Sequence, residues 1–168
     1  MLNVVFFYRI ERWLYLHKIP LLPRLVQLLI FFCYACNIPY KCKIGKGTFF
    51  NHGGIAVLIN PDTVIGTNCK IGNSVSIVGQ GPYKFAPIIG NNVFIGPSAI
   101  IQGPVIIEDN AIIAPHALVN KSVPKNAIVA GVPAKIIGWS NQLDYDVFKD
   151  EAWKDGHKPF LKSDVHER

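Results

Sequence analysis

The sequence has no apolar segment long enough to cross a membrane. The longest such run, residues 25–38, has fourteen residues, whereas a membrane-spanning helix needs about twenty. A secretory signal is a closer alternative because a basic start precedes this run. The aromatic-rich stretch ahead of the run and the prolines Pro20 and Pro23 nevertheless fit a signal poorly. We therefore expect a cytoplasmic protein.

The sequence also lacks the local motifs of several function classes. It contains no P-loop, no dinucleotide-binding fingerprint and no spacing typical of metal ligands, so we predict no metal. No nucleic-acid-binding motif is present, and the basic residues are spread along the chain although the formal net charge is +6. We interpret this charge as suited to an anionic membrane surface and a polyanionic ligand, and we predict no nucleic-acid partner.

Cysteine is scarce, with four residues in the chain: Cys33, Cys36, Cys42 and Cys69. They could form two disulfides in an exported protein, or Cys33 and Cys36 could bind a metal. This pair, however, lies in an apolar run and has no second ligand pair at a zinc-like spacing. We favour free, buried thiols in a reducing compartment.

What the sequence does contain is a six-residue repeat from Ile65 to Val119. A branched aliphatic residue opens each unit and a small residue stands two positions before it. Gly, Asn and Pro fill the positions after the aliphatic residue. Gly, Asn and Pro suit tight corners, and β-branched residues suit short strands. We expect the aliphatic and the small residue to point inward. The short fixed period predicts a solenoid of triangular cross-section, with three six-residue sides per turn.

These repeats, which close with the segment Ala130–Gly138, resemble the hexapeptide-repeat acyltransferases. Within that family they are most similar to the serine acetyltransferase branch, including its relatives in capsule and exopolysaccharide gene sets. The resemblance covers residues 38–138 and implies a mainly β fold, a left-handed parallel β-helix. We predict three parts: an N-terminal helical segment (1–38), a β-helix acyltransferase domain (39–138) and a short C-terminal tail (139–168).

The N-terminal segment has two possible placements. Residues 1–18 predict an amphipathic basic helix, with Val4, Phe7, Ile10 or Glu11, and Leu14 at helical spacing. It either packs against the solenoid or a neighbouring chain, or lies in the membrane interface at the inner face of the cell membrane. In the tail, a short helix is predicted over 142–154.

The first interruption of the repeat contains a histidine. Phe50 and Ile59 are nine residues apart rather than six, and the slip includes Asn51-His52-Gly53-Gly54. An imidazole can remove a proton from a hydroxyl group near neutral pH. In serine acetyltransferases the matching motif is Asp-His followed by small residues, and its His is the general base. The resemblance therefore implies that His52 is the catalytic base, with Asn51 in place of the Asp.

The second interruption, residues 79–87, is too rich in Gly and Pro for a regular corner and predicts an outward loop. In the family this loop carries Arg-His-Pro, which helps to hold serine; here it reads Phe85-Ala86-Pro87. Losing the Asp and the Arg removes the charges that would pair with an amino acid. We therefore predict a neutral saccharide as the acceptor, contacted by Asn51, Lys84 and Phe85.

The resemblance also implies acetyl-CoA as the acyl donor, bound along the solenoid wall between subunits. Its pantetheine arm is expected at the corners that match Gly96-Pro97 and Ala114-Pro115, and its phosphates near Lys135 and Lys121. His116 is a second candidate for the base, although a contact with the donor or with a neighbouring chain is the better interpretation.

Three functions remain open. The main hypothesis is an acetyl-CoA-dependent O-acetyltransferase that modifies a saccharide or lipid-linked saccharide, such as a capsule or exopolysaccharide precursor. We expect a homotrimer with sites between adjacent columns and peripheral contact with the membrane. The alternatives are a serine O-acetyltransferase in cysteine biosynthesis and a non-catalytic hexapeptide-repeat scaffold.

Overall fold

The computed structural model describes residues 2–143 and 147–148. Two helices come first, α1 (Val4–Leu16) and α2 (Leu22–Tyr34), and most of the strands after them have only two or three residues. In chain order the strands are β1 (Lys43–Ile44), β2 (Phe49–Phe50), β3 (Leu58–Ile59), β4 (Val64–Ile65), β5 (Lys70–Ile71), β6 (Ser76–Val78), β7 (Ile88–Ile89), β8 (Phe94–Ile95), β9 (Ile100–Gln102), β10 (Ile106–Ile107), β11 (Ile112–Ile113), β12 (Leu118–Val119), β13 (Ala127–Gly131) and β14 (Ala134–Trp139). The helix predicted over 142–154 lies outside the described residues, apart from 142–143 and 147–148.

The strands form three sheets that wrap the chain into a parallel β-helix of about four turns. Sheet 1 contains β1, β4, β7 and β10, sheet 3 contains β3, β6, β9 and β12, and sheet 2 contains β2, β5, β8, β11, β13 and β14. Strands of successive turns pair in parallel, as Ile65 does with Ile89. The two strands that close the solenoid, β13 and β14, pair antiparallel. The predicted solenoid is confirmed.

The core consists of the two inward positions of each repeat. Ile71, Ile95 and Ile113 stack in sheet 2 and are completely buried. The small residues two positions earlier, such as Cys69 and Ala111, are also completely buried. The assignment of both positions to the interior is confirmed. Each buried Ile contributes about 1.5–3 kcal/mol to the free energy of unfolding, so the stack stabilises the column along its whole length.

The glycine that follows the aliphatic residue permits close stacking of the corners. A Cβ atom added at Gly66 would lie 2.4 Å from the carbonyl oxygen of Gly90 in the next turn, and one at Gly96 would lie 2.5 Å from the nitrogen of Pro115. In the last complete turn the same positions hold Glu108 and Ala114. A side chain at Gly66 or Gly96 would therefore clash with the corner of the next turn.

The two predicted interruptions each lengthen a corner. The first, residues 51–57, joins β2 to β3 and is called the histidine loop. The second, residues 79–87, joins β6 to β7 and is called the projecting loop. Gln80 to Phe85 in the projecting loop are all exposed, so the outward loop is confirmed.

Helix α1 closes the first turn of the solenoid. The hydroxyl of buried Tyr8 donates to the carbonyl oxygen of Cys42 at 2.7 Å and accepts from the amide of Ile44 at 3.2 Å. Arg9 donates to the carbonyl oxygen of Ile44 at 2.5 Å, and Arg12 donates to that of Cys42 at 2.9 Å. These side chains satisfy carbonyl groups that the open edge of β1 would otherwise leave without partners.

The stripe predicted for α1 is partly wrong. The buried residues are Val4, Tyr8 and Glu11, whereas Ile10 is 39% exposed. Both carboxyl oxygens of Glu11 are buried and have no hydrogen-bond partner among the described residues. Burial raises the pKa of this carboxyl group to about 8, so the acid is mostly protonated at neutral pH.

All four cysteines are free. Cys36, Cys42 and Cys69 are buried as expected, whereas Cys33 is exposed on α2. Burial, and secondarily the nearby Glu11, raises the pKa of the Cys36 and Cys42 thiols to about 12. These two thiols are therefore uncharged around Glu11 at neutral pH.

The outer surface of the two helices is apolar. On α2, Leu25 is 58% exposed, Leu28 is 51% exposed and Phe32 is 76% exposed. None of the helices within the described residues has the length and apolar character that crossing a membrane requires. The inner face of the helix pair thus packs on the solenoid, and no described residue covers its outer face.

Candidate active site

The histidine loop begins with a short 3-10 turn, Asn51–Gly54. His52 has φ 52° and Gly53 has φ 78°, so both adopt the left-handed region, and Gly54 has φ 90°. Two consecutive glycines make this tight turn accessible at little steric cost. The turn lifts the side chain of His52 away from the core, and the residue is exposed.

The histidine loop starts a column of corners between sheets 2 and 3, which we call the histidine edge. The amide of Ser74 donates to the carbonyl oxygen of Ile55 at 2.9 Å, Ser98 to Asn73 at 3.0 Å, and His116 to Pro97 at 3.0 Å. Each corner is therefore hydrogen-bonded to the one in the turn before it. His116 lies on the same edge as the histidine loop but three turns away, roughly 14 Å at 4.8 Å per turn.

The histidine edge also gathers most of the residues predicted to bind the acyl donor. Gly96-Pro97 and Ala114-Pro115 form its corners in the third and fourth turns. Strand β13 continues this edge because Val129 pairs with Ile113, and Lys135 on β14 lies opposite Ala130. A continuous wall with mostly short side chains thus runs from His52 to the exposed Lys135.

The remaining predicted residues lie on a different corner of the prism. Lys84 and Phe85 belong to the projecting loop, and Lys121 follows β12, so all three lie on the edge between sheets 3 and 1. We call this the second edge. Sheet 3 separates it from the histidine edge by one side of the prism, about 15–20 Å. Lys121 and Lys135 therefore lie on different edges of a single chain.

The imidazole of His52 is the titratable group of the histidine loop. It is exposed and therefore accessible to a hydroxyl group. Within residues 2–143 and 147–148, no group of three His, Cys, Asp or Glu residues could hold a metal ion.

Two residues that contact the histidine loop are missed by sequence reasoning. The side-chain amide of Asn3 donates to the carbonyl oxygen of Phe50 at 2.6 Å, and the carbonyl oxygen of Tyr34 accepts from the amide of Ala56 at 3.0 Å. An Asn ahead of a helical pattern is a recognisable N-cap signal. Its contact with a residue 47 positions later has no signal in the sequence.

The chain matches known transferases in sequence and in structure. Residues 86–121 match the family described as "Bacterial transferase hexapeptide (six repeats)". The serine acetyltransferase of Helicobacter pylori (strain J99) is 30% identical over 132 residues, which cover 77% of each chain. The galactoside O-acetyltransferase of Escherichia coli (strain K12) is 31% identical over 134 residues, covering 72% of this chain and 64% of that protein.

Comparison with solved structures gives serine acetyltransferases as well. A serine acetyltransferase from Brucella abortus strain S19, determined in complex with coenzyme A, superposes with a TM-score of 0.77 at 29% identity. The match covers 82% of this chain and 55% of that one. Among other curated serine acetyltransferases, the chain spans 54% of one and 39% of another. By sequence and by fold, the chain belongs to the hexapeptide-repeat transferase family and is a homologue of the serine acetyltransferases.

Proposed function

We propose that the protein is an O-acetyltransferase that uses acetyl-CoA and takes His52 as its general base. The observation that carries the proposal is the histidine edge, where His52 shares one continuous wall with Gly96-Pro97 and Ala114-Pro115. The wall ends at Lys135, whose ammonium group suits the phosphates of coenzyme A. The coenzyme A complex of the Brucella abortus relative supports the choice of donor.

In this reaction an imidazole nitrogen of His52 removes the proton from the acceptor hydroxyl. The resulting oxygen nucleophile attacks the thioester carbonyl carbon, and the carbon–sulfur bond breaks as the new ester forms. The proton then passes from the imidazolium to the departing sulfur, which leaves as the thiol of coenzyme A. His52 thus ends the cycle neutral, as the next proton removal requires.

L-Serine is the first candidate for the acceptor. The homologues and the structural neighbours above are mostly serine acetyltransferases, and they cover most of this chain. A serine hydroxyl is compatible with a base on an exposed edge. In this proposal Asn51 orients the substrate through hydrogen bonds, and Lys84 supplies a positive charge for the carboxylate.

A saccharide hydroxyl is the second candidate, and specific residues favour it. Asn51 offers no negative charge for an ammonium group, and Phe85-Ala86 replaces the Arg-His of the family. Phe85 is 76% exposed and presents an aromatic face that could pack on a sugar ring. The galactoside O-acetyltransferase of E. coli is a relative that acts on a sugar. A capsule or exopolysaccharide precursor, free or lipid-linked, remains within this second proposal.

The rate at which the thiol of coenzyme A is released will show which of the two acceptors the protein uses. With acetyl-CoA present, we expect thiol release to rise at least tenfold over the acceptor-free rate when the correct acceptor is added. L-Serine and a panel of galactosides, glucosides and lipid-linked sugars are compared on one preparation. Stimulation by L-serine alone would exclude the saccharide, and stimulation by a sugar alone would exclude serine. No stimulation by any hydroxyl compound would contradict the proposed reaction.

The distribution of the candidate residues favours a cyclic assembly. Lys84, Phe85 and Lys121 on the second edge cannot reach a substrate at His52 within one chain, because sheet 3 lies between the two edges. They can do so if the second edge of one copy packs beside the histidine edge of the next. A closed ring satisfies this for every copy, and the resemblance to the family favours three copies.

We also propose that the outer face of α2 contacts an anionic membrane surface. Leu25, Leu28 and Phe32 form an exposed apolar strip, and Arg24 and Lys18 add positive charge at its end. An apolar face with basic residues beside it suits the boundary between lipid headgroups and acyl chains. Arg9 and Arg12, two basic residues of the predicted amphipathic helix, bind the first turn of the solenoid instead.

Both parts of the assembly proposal can be tested on one sample. Light scattering should give a mass of three chains. A closed ring lets each copy complete the substrate site of its neighbour, and the resemblance to the family favours three copies. The same trimer should sediment with anionic vesicles at low salt and less at high salt, since exposed charges are screened. Leu28→Glu, on the exposed face, should abolish sedimentation without changing the mass. A stable monomer, or vesicle binding that Leu28→Glu leaves intact, would contradict the corresponding part.

A further inference from the structure

The histidine loop is held at its start by the residue that begins helix α1. Asn3 is the N-cap of α1, and its side-chain oxygen accepts from the amide of Val5 at 3.2 Å. Its side-chain nitrogen donates to the carbonyl oxygen of Phe50 at 2.6 Å. Phe50 is completely buried and stands two residues before His52. One side chain therefore fixes both the helix start and the loop start.

The middle of the loop rests on the next residue of α1. Val4 is completely buried, and a Cβ atom added at Gly54 would lie 2.3 Å from its Cγ1 atom. The glycine is thus needed both for φ 90° and for the close approach of Val4. Because Gly54 is buried, its contact with Val4 limits how closely the turn at His52 can approach the core.

The end of the loop is held by helix α2. The carbonyl oxygen of Tyr34 accepts from the amide of Ala56 at 3.0 Å, and the amide of Asn37 donates to the carbonyl oxygen of Val57 at 2.8 Å. The hydroxyl of Tyr34 donates to the carbonyl oxygen of Leu2 at 2.6 Å. Tyr34 therefore links the support at the end of the loop to the support at its start.

We propose that Asn3 and Tyr34 are positioning residues for His52. Together with Val4 they form a brace that sets the height and direction of the imidazole on the histidine edge. This inference rests on the proposed role of His52 as the base. It assigns to the N-terminal helices a part in catalysis that is separate from their outer, membrane-facing surface.

The brace predicts a selective loss of turnover in Asn3→Asp. Aspartate keeps the N-cap acceptor for Val5 but cannot donate to Phe50, and its charge repels that carbonyl oxygen. We expect kcat to fall ten- to hundredfold, because a displacement of about 1 Å at a reacting group has an effect of that size. The KM for acetyl-CoA should change less than twofold, since the donor wall begins two turns away. Asn3→Ser, which caps the helix without a charge or a long enough donor, should behave in the same way.

A second measurement does not depend on turnover. In both Asn3 variants and in Tyr34→Phe, amide hydrogen exchange at residues 51–57 should accelerate at least tenfold, while the strands of sheet 2 keep their protection. The matched control is Asn92→Asp, which removes a side-chain hydrogen bond to Asn110 at the corner between sheets 1 and 2. It should alter neither kcat nor exchange in the histidine loop.

The outcomes separate the brace from the proposed reaction. Unchanged kcat in Asn3→Asp, in an enzyme that requires His52, would overturn the brace and leave the reaction intact. A parallel loss of kcat, acetyl-CoA affinity and thermal stability would overturn it as well, because that pattern indicates general unfolding. If His52 proves dispensable, the proposed reaction is wrong. The brace can still be tested in that case, because unchanged hydrogen exchange at residues 51–57 in the Asn3 variants and in Tyr34→Phe would contradict it.

Discussion

Replacing His52 by alanine should reduce the rate of acetyl transfer by about 10²–10⁴-fold, the usual contribution of a general base. The measurement is thiol release from acetyl-CoA at saturating acceptor. Binding of acetyl-CoA should persist, because the donor wall at Gly96-Pro97 and Ala114-Pro115 is unchanged. His52→Asn should show the same loss, and asparagine tolerates the left-handed φ of this position, so the loss cannot be assigned to backbone strain.

The matched control for this prediction is His116→Ala. His116 has a similar left-handed φ, 58°, and lies exposed on the same edge, but three turns from the loop. We expect a higher KM for acetyl-CoA with kcat nearly retained. If His116→Ala removes the activity and His52→Ala does not, the roles of the two residues are exchanged. If neither matters, the non-catalytic scaffold becomes the better interpretation.

The second large effect is expected on stability, at Glu11. Burial raises the pKa of this carboxyl group to about 8 in the folded protein, from 4.5 as its ordinary value. Between these values the folded chain holds a proton that the unfolded chain has released, so stability falls as the pH rises. Since one pKa unit corresponds to about 1.36 kcal/mol, the total loss by pH 9 is on the order of 5 kcal/mol.

Thermal unfolding between pH 5 and pH 9 will test this effect. Glu11→Gln cannot ionise, so it should flatten the decline and unfold at a higher temperature than the native chain at pH 9. The thiols of Cys36 and Cys42 stay neutral in the folded protein across this whole range, because their pKa values are raised from 9.0 to about 12. The unfolded chain begins to ionise them only near pH 9, so they add little to the slope below that pH. Glu108→Gln, at an exposed corner, should keep the native slope. An unchanged slope in Glu11→Gln would show that Glu11 is not the group responsible.

The repeat could be predicted from the sequence because its signal is periodic. Each turn presents the same two inward positions, and a residue such as Ile95 occupies the environment of Ile71 one turn earlier. The two loops were also predictable, since the first breaks the six-residue spacing and the second is too rich in Gly and Pro for a regular corner. In a solenoid each turn contacts mainly the turns next to it, so a local sequence pattern is enough to predict most of the fold.

The edge on which Lys121 lies can also be derived from the sequence. Corners recur every three sides, and counting them from Pro115 places Lys121 one corner further along, on the second edge.

The contacts of Glu11 and Asn3 could not be predicted in this way. Glu11 is buried because it lies on the side of α1 that meets the first turn, and Asn3 acts on Phe50 across the fold. Contacts between helix and solenoid depend on docking geometry, which no local pattern encodes.

The closure of both ends has a consequence for the protein in solution at high concentration. A stack of parallel strands with an open rung can add the rung of another molecule and grow into a filament. At one end Tyr8, Arg9 and Arg12 occupy the carbonyl groups of the first turn. At the other, β14 turns back antiparallel against β13 and interrupts the parallel register. End-to-end growth is therefore opposed at β1 by side chains of α1 and at β13 by the antiparallel β14, although every turn inside the column could serve as a template for the next.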